Sequence, residues 1–148
     1  MESEKLGFRE GLTDGVPIGL GYLSVSFSFG ISAVTQGVSA LAATVVSMTN
    51  LTSAGQVAGL GIITAAGTLF EMALAQLIIN LRYALMSLSL SQKLDSGFTT
   101  PHRFLAAFGI TDEIFAVASG KPKEVTSSYM YGLIALPFLC WSAGTLLG

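Results

Sequence analysis

The chain has 148 residues, of which 51% are hydrophobic and only 11% charged, against about 25% charged in a soluble domain. Net charge is −2, with one cysteine (Cys140) and one histidine (His102). That leaves no internal disulfide, no thiolate cage, no histidine-rich metal site and no basic surface for nucleic acid. From Gly15 to Phe70 no side chain is charged. Water cannot solvate such a stretch on a protein surface, whereas a bilayer accommodates it, since about 20 apolar residues cross the hydrocarbon core. The composition predicts an all-α, polytopic transmembrane helical bundle, a single domain over 1–148. No secretory leader is expected, because the first fifteen residues mix charges and glycines without an apolar run.

In chain order, residues 1–15 form a polar segment that suits a short helix at the interface. Residues 16–36 are the first spanning candidate, with Pro17 in its opening turn, where a missing N–H is tolerated. Residues 38–52 are apolar but short and run into Asn50, Thr52, Ser53 and Gly55, which break helices. A tilted helix, a half-helix or a re-entrant segment fits. Residues 54–80 are long enough to span and carry Glu71 inside. Residues 81–103 hold Arg82, Lys93, Asp95, His102 and Arg103 and read as a polar loop or the end of a long helix.

Residues 104–119 are short and interrupted at Gly109 and at Asp112-Glu113, and 120–128 make a polar turn. Residues 129–148 are the last spanning candidate, with Pro137 expected to kink it. Tyr129, Tyr131 and Trp141 suit the membrane interfaces. The Lys/Arg clusters lie on one side of the membrane only if 38–52 and 104–119 do not both cross completely, which favours broken or re-entrant segments.

Lys5-x5-Gly11-Leu12-Thr13-Asp14 is echoed by Arg103-x5-Gly109-Ile110-Thr111-Asp112. Many transporters are built from two repeats. Chance is the rival explanation for so short a match. Read as a repeat, the echo makes its second copy incomplete.

Each polar group in the apolar runs has two readings. Glu71 is a candidate proton or ammonium site, because a carboxylate at membrane depth is costly, or a structural carboxylate bonded to Thr68, Asn80 or another helix. Thr111 or Asp112 is a candidate cap for a half-helix that restarts at Ile114; such an N-terminus at membrane depth binds carboxylates, and Asp112 or Glu113 beside it takes an ammonium or a proton; simple interfacial capping is the alternative. The segment Asn50-Leu51-Thr52-Ser53-Ala54-Gly55-Gln56 offers unwound backbone to a zwitterion, with Asn50, Ser53, Gly55 and Gln56 as candidate contacts, or is an ordinary loop. Asn80 and Arg82 read as structural: Asn80 paired with exposed backbone, Arg82 on lipid phosphate, at the interface or in an inter-helix salt bridge. Phe27, Phe29 and Phe115 are candidates for an apolar pocket, or plain core. Glycines four apart (Gly7, Gly11, Gly15, Gly19; Gly55, Gly59; Gly144, Gly148) predict close helix packing. No phosphate loop, nucleophile triad or metal-ligand spacing is present, so neither an enzyme nor a cofactor is expected.

Phe8-x2-Gly11-x2-Asp14-x2-Pro17-Ile18-x2-Gly21 is similar to the start of the AzlC-like branched-chain amino acid permease family. Ala54-Gly55-Gln56, Asn80-Leu81-Arg82-Tyr83 with Ser87-Leu88-Ser89-Leu90, Thr111-Asp112-Glu113-x-Phe115-Ala116 and Trp141-x2-Gly144-Thr145 follow it in order and spacing. The resemblance implies a bacterial inner-membrane transporter subunit that exports branched-chain amino acids, notably valine and in some members methionine. It also implies a small AzlD-like membrane partner and drive by the proton gradient. An uptake permease and a non-transporting interaction subunit are the competing readings. Family members continue for further helices past Trp141-x2-Gly144, so the chain reads as C-terminally truncated.

Overall fold

Helix boundaries in the computed structural model, which describes residues 6–148, follow the capping residues. Seven helices are formed among the described residues: α1 (Phe8–Thr35), α2 (Ala40–Thr49), α3 (Ser53–Thr64), α4 (Leu69–Ser91), α5 (Thr100–Phe108), α6 (Asp112–Ser119) and α7 (Ser127–Leu147). The hydroxyls of Ser39, Thr52, Thr68, Thr111 and Thr126 each accept an N–H of the first turn of the helix they precede. Three helices, of 28, 23 and 21 residues, are long and apolar enough to cross a membrane. The others are too short.

The short helices pair into two hairpins that dip in and return. Gln36, at the end of α1, meets Thr64, at the end of α3 (Thr64 Oγ1 to Gln36 Oε1, 3.4 Å). The α2–α3 unit therefore leaves and re-enters one end of the molecule, turning at Asn50–Thr52. The Lys93 ammonium, just past α4, reaches the Ser119 carbonyl at the end of α6, and Leu94 pairs with Val125. The α5–α6 unit does the same from the opposite end, turning at Gly109–Thr111. The C-caps Asn50 and Gly109, and the N-caps Thr52 and Thr111, are 59 residues apart in sequence. One spanning helix plus one hairpin is thus used twice, inverted the second time, and α7 opens a third turn of the pattern.

Two inversions make α1 and α7 parallel. Gly11 faces Tyr129 and Leu133, Gly15 faces Leu133 and Pro137, Gly19 faces Leu136 and Cys140, and Gly30 faces Thr145 and Gly148. A Cβ at Gly11 would strike the Tyr129 carbonyl oxygen, and one at Gly132 the Phe8 carbonyl oxygen. Small residues four apart let the two backbones approach this closely. Lys121 and Tyr129 pin the base of the seam, each 2.6 Å from Asp14 Oδ2. Leu20, Leu69, Phe70, Leu77 and Phe104 are exposed, whereas Ser26, Ser47, Gln56 and Thr145 are buried. An apolar exterior around polar interior contacts suits a lipid solvent.

Several expectations change. The segment 54–80 is not one helix: Ala65–Gly67 turns the chain, and Thr68 with Glu71 forms a capping box that starts α4 afresh. The polar loop at 81–103 is correspondingly shorter, because 81–91 contains no breaker and continues α4 to Ser91. Phe8–Gly15 belongs to α1 rather than to a separate interfacial helix, so Pro17 is interior; residues 1–5, including the Lys5 of the echo, lie outside the described residues. The two echo segments have different conformations, a continuous helix at Gly11–Asp14 and a break at Gly109–Thr111. Tyr129, in the first turn of α7, and Trp141 are buried against other helices.

Candidate functional site

The inversion brings the two hairpin tips together in the middle of the bundle. A cavity of about 260 Å³ lies there, walled by both tips (Leu51–Ser53 and Thr111–Glu113), by Tyr22 of α1, by Arg82 and Tyr83 of α4 and by Trp141 of α7. Its volume falls just under the ~300 Å³ at which drug-sized ligand pockets begin, so it suits a smaller molecule.

Its polar groups form two linked chains. Arg82 Nη1 is 3.0 Å from Asp112 Oδ2, and both side chains remain about half exposed. Arg82 Nη2 donates to Tyr83 Oη (3.1 Å), which donates to Thr52 Oγ1 of the other tip (3.2 Å). On the opposite wall, Tyr22 Oη lies 2.5 Å from both Thr111 Oγ1 and Glu113 Oε2. Trp141 meets the Tyr22 ring edge-on, centroids 5.0 Å apart, and holds that phenol in place. Thr111 and Thr52 cap the third N–H of α6 and α3, which leaves the earlier N–H groups of both first turns without an intrahelical partner. The chamber therefore offers two positive helix ends, one guanidinium and two carboxylates.

Of the residues singled out from sequence, Thr111, Asp112, Glu113, Ser53 and Arg82 meet in this chamber. Arg82 makes the inter-helix salt bridge that stood among its three readings. Asn50 and Asn80 line a neighbouring cavity of about 230 Å³. Gly55 lies where α3 crosses α4: its carbonyl accepts Gln76 Nε2 (2.8 Å), and a Cβ there would fall 2.7 Å from Gln76 Oε1. Gln56 is buried behind the tip, donating to Ser47 Oγ (2.5 Å), which pairs with Thr145 of α7 (2.6 Å). Glu71 does not reach the chamber. Its Oε2 accepts the Thr68 N–H at 2.7 Å, and it uses Thr68, the first of its structural partners. Phe29 packs with Ala33, Ala43 and Leu60, Phe115 packs against the core, and Phe27 is exposed. Tyr22 and Trp141 are not among the site residues that the sequence singles out. The available signal was a tyrosine near the centre of a charge-free span, where aromatic belts do not place one.

Known proteins resemble this chain along nearly its whole length. It is 33% identical over 146 residues to an uncharacterized membrane protein of Archaeoglobus fulgidus, covering 99% of this chain and 63% of the relative. It is 30% identical over 145 residues to the inner membrane protein YgaZ of Escherichia coli, covering 95% and 59%. An uncharacterized membrane protein of Helicobacter pylori is 28% identical over 145 residues, covering 95% and 62%. The chain thus spans about three fifths of the length of these relatives. No solved structure matches. The AzlC protein family model matches residues 17–148, and with it the chain is a membrane protein that belongs to the AzlC family.

Proposed function

We propose that the chamber between the hairpin tips is the substrate site of a branched-chain amino acid exporter of the bacterial inner membrane, with valine the leading substrate and methionine a second. The observation that carries this reading is the Arg82–Asp112 pair at the positive ends of two half-helices. A zwitterion can enter such a pair without changing its charge. The substrate carboxylate takes Arg82 and the free N–H groups of α3 and α6; the ammonium takes Asp112. Every charge stays paired, as a low-dielectric site requires. Ile18, Val25 and Leu51 supply apolar wall for the side chain. Glu113, held by Tyr22, is the better candidate for the coupling proton than Glu71, since it alone of the two borders the chamber.

Arg9, Lys93, Arg103, Lys121 and Lys123 gather at the end where α1 begins, and the positive-inside rule makes that end cytoplasmic. A small AzlD-like membrane subunit completes the transporter.

The test is valine export from cells preloaded with a valine-containing dipeptide, expressing the chain with or without an AzlD-like partner. Partner-dependent export that collapses with an uncoupler, and that Asp112→Asn abolishes while assembly persists, is the expected result. Assembly with no export, even in a chain extended to the length of its relatives, would favour an interaction subunit; accumulation instead of loss would mean uptake.

A further inference from the structure

The cavity beside the chamber has the opposite polarity. It lies between the last turns of α2 and α5, with Thr49, Asn50, Ala107 and Phe108 in its wall, and is closed by Asn80 and Tyr83 of α4. Two helix C-termini, the negative ends of their dipoles, therefore face it. Among the described helices α2 alone ends without its cap N–H turning back onto the last carbonyls. Asn50 leaves it in an extended conformation, φ −142° and ψ 99°. Thr49 Oγ1 donates to the Val46 carbonyl (3.2 Å), and in a membrane interior the carbonyls beyond it need a partner.

The side-chain amides are oriented the same way. Gly55 offers Gln76 only a carbonyl, so Gln76 turns its Nε2 to it (2.8 Å) and its Oε1 the other way. That Oε1 accepts both Asn80 Nδ2 (3.1 Å) and Asn50 Nδ2 (3.4 Å). With their NH₂ groups turned toward Gln76, both asparagines turn their oxygens away from it. Asn80 Oδ1 is buried with no hydrogen-bond partner. No charged side chain lines this cavity.

We propose that this cavity is a binding site for a monovalent cation, held by Asn80 Oδ1, Asn50 Oδ1 and the open carbonyl end of α2. Neutral oxygens at the negative ends of broken helices suit a single positive charge. A calcium site would draw on carboxylates, and none is present. Bound there, the ion fixes the first hairpin tip, and the Thr52–Tyr83–Arg82 chain carries that order into the neighbouring chamber.

The experiment needs no amino acid, so its outcome is separate from that of the transport reading. The purified chain in lipid nanodiscs is melted in sodium, potassium or choline chloride at equal ionic strength. Sodium or potassium is expected to raise the midpoint over choline by about 4 °C or more. Asn80→Asp, which adds a negative charge, is expected to lower the salt concentration needed by about tenfold. Asn80→Leu is expected to abolish the difference. Equal midpoints in all three salts for both the wild type and Asn80→Asp, or a response to calcium alone, overturn the proposal. Should Asn80→Leu fail to fold, the wild type and Asn80→Asp still decide.

Discussion

The two hairpins share a backbone design and differ in chemistry. Each is a short helix, a break of three residues and a second short helix opened by a threonine cap, Thr52 in one and Thr111 in the other. Directly after the cap, the first hairpin has Ser53 and Ala54, whereas the second has Asp112 and Glu113. At the preceding C-cap, the first has Asn50 with an extended backbone and the second Gly109. One inverted scaffold thus yields a neutral tip and an acidic tip facing each other. The difference teaches that broken backbone alone does not specify a ligand. The helix ends supply direction, and a few side chains decide which charge each cavity receives.

The sharpest way to break this comparison is to remove the acidic character of the second tip. Asp112→Asn should weaken amino acid binding by about 30-fold or more, the scale of one charged hydrogen bond. Ser53→Ala at the matching position should cost about threefold or less. Equilibrium binding on reconstituted protein compares them, and equal losses would make the tips functionally equivalent.

Next come the caps. Thr52→Val and Thr111→Val should each destabilise the fold by about 1 kcal/mol, read by chemical denaturation, because each loses one cap. Thr111→Val should weaken amino acid binding the more, since it frees Tyr22 directly beside Glu113, whereas Thr52→Val acts on Arg82 only through Tyr83. A smaller effect is expected of Glu71→Gln. The start of α4 should fray in hydrogen exchange while export stays within about twofold of wild type, because Glu71 serves a cap. Abolished export would return Glu71 to the proton pathway. Smallest is Ala66→Gly in the α3–α4 turn. Ala66 has φ +52°, a left-handed conformation that costs a side-chain-bearing residue about 1 kcal/mol; glycine relieves it but gains freedom in the unfolded chain, so the melting midpoint should rise by only about a degree.

Much of the local architecture was legible. The breaks at Asn50–Ser53 and at Gly109–Asp112 are set by short-range chemistry: small polar residues, a glycine and a capping threonine interrupt apolar runs too short to span. The restart of α4 is spelled out by the Thr68-x-x-Glu71 capping box, but the apolar content on both sides masks the four-residue turn before it. For residues 81–91 the neighbouring charges leave a loop and a helix end both open, and the structure has the helix end, because helix propensity there is uninterrupted. The site was legible in part. Asp112, Glu113 and the Asn50–Ser53 segment stand out as polar groups at breaks, while Tyr22 and Trp141 look like any aromatic residues in a span.

The sequence by itself determined the solvent, the helical class and the places where helices stop, because hydropathy, capping and helix breaking act over a few residues. Only the tertiary structure decided that both broken segments return to the side they came from. It also decided that α1 and α7 run parallel, and that Arg82 meets Asp112 across the chamber. Those outcomes rest on contacts between residues far apart in the chain, the glycine seam between α1 and α7 among them. A capping box marks Glu71 locally, but no short-range pattern says that Asp112 faces an arginine at the centre.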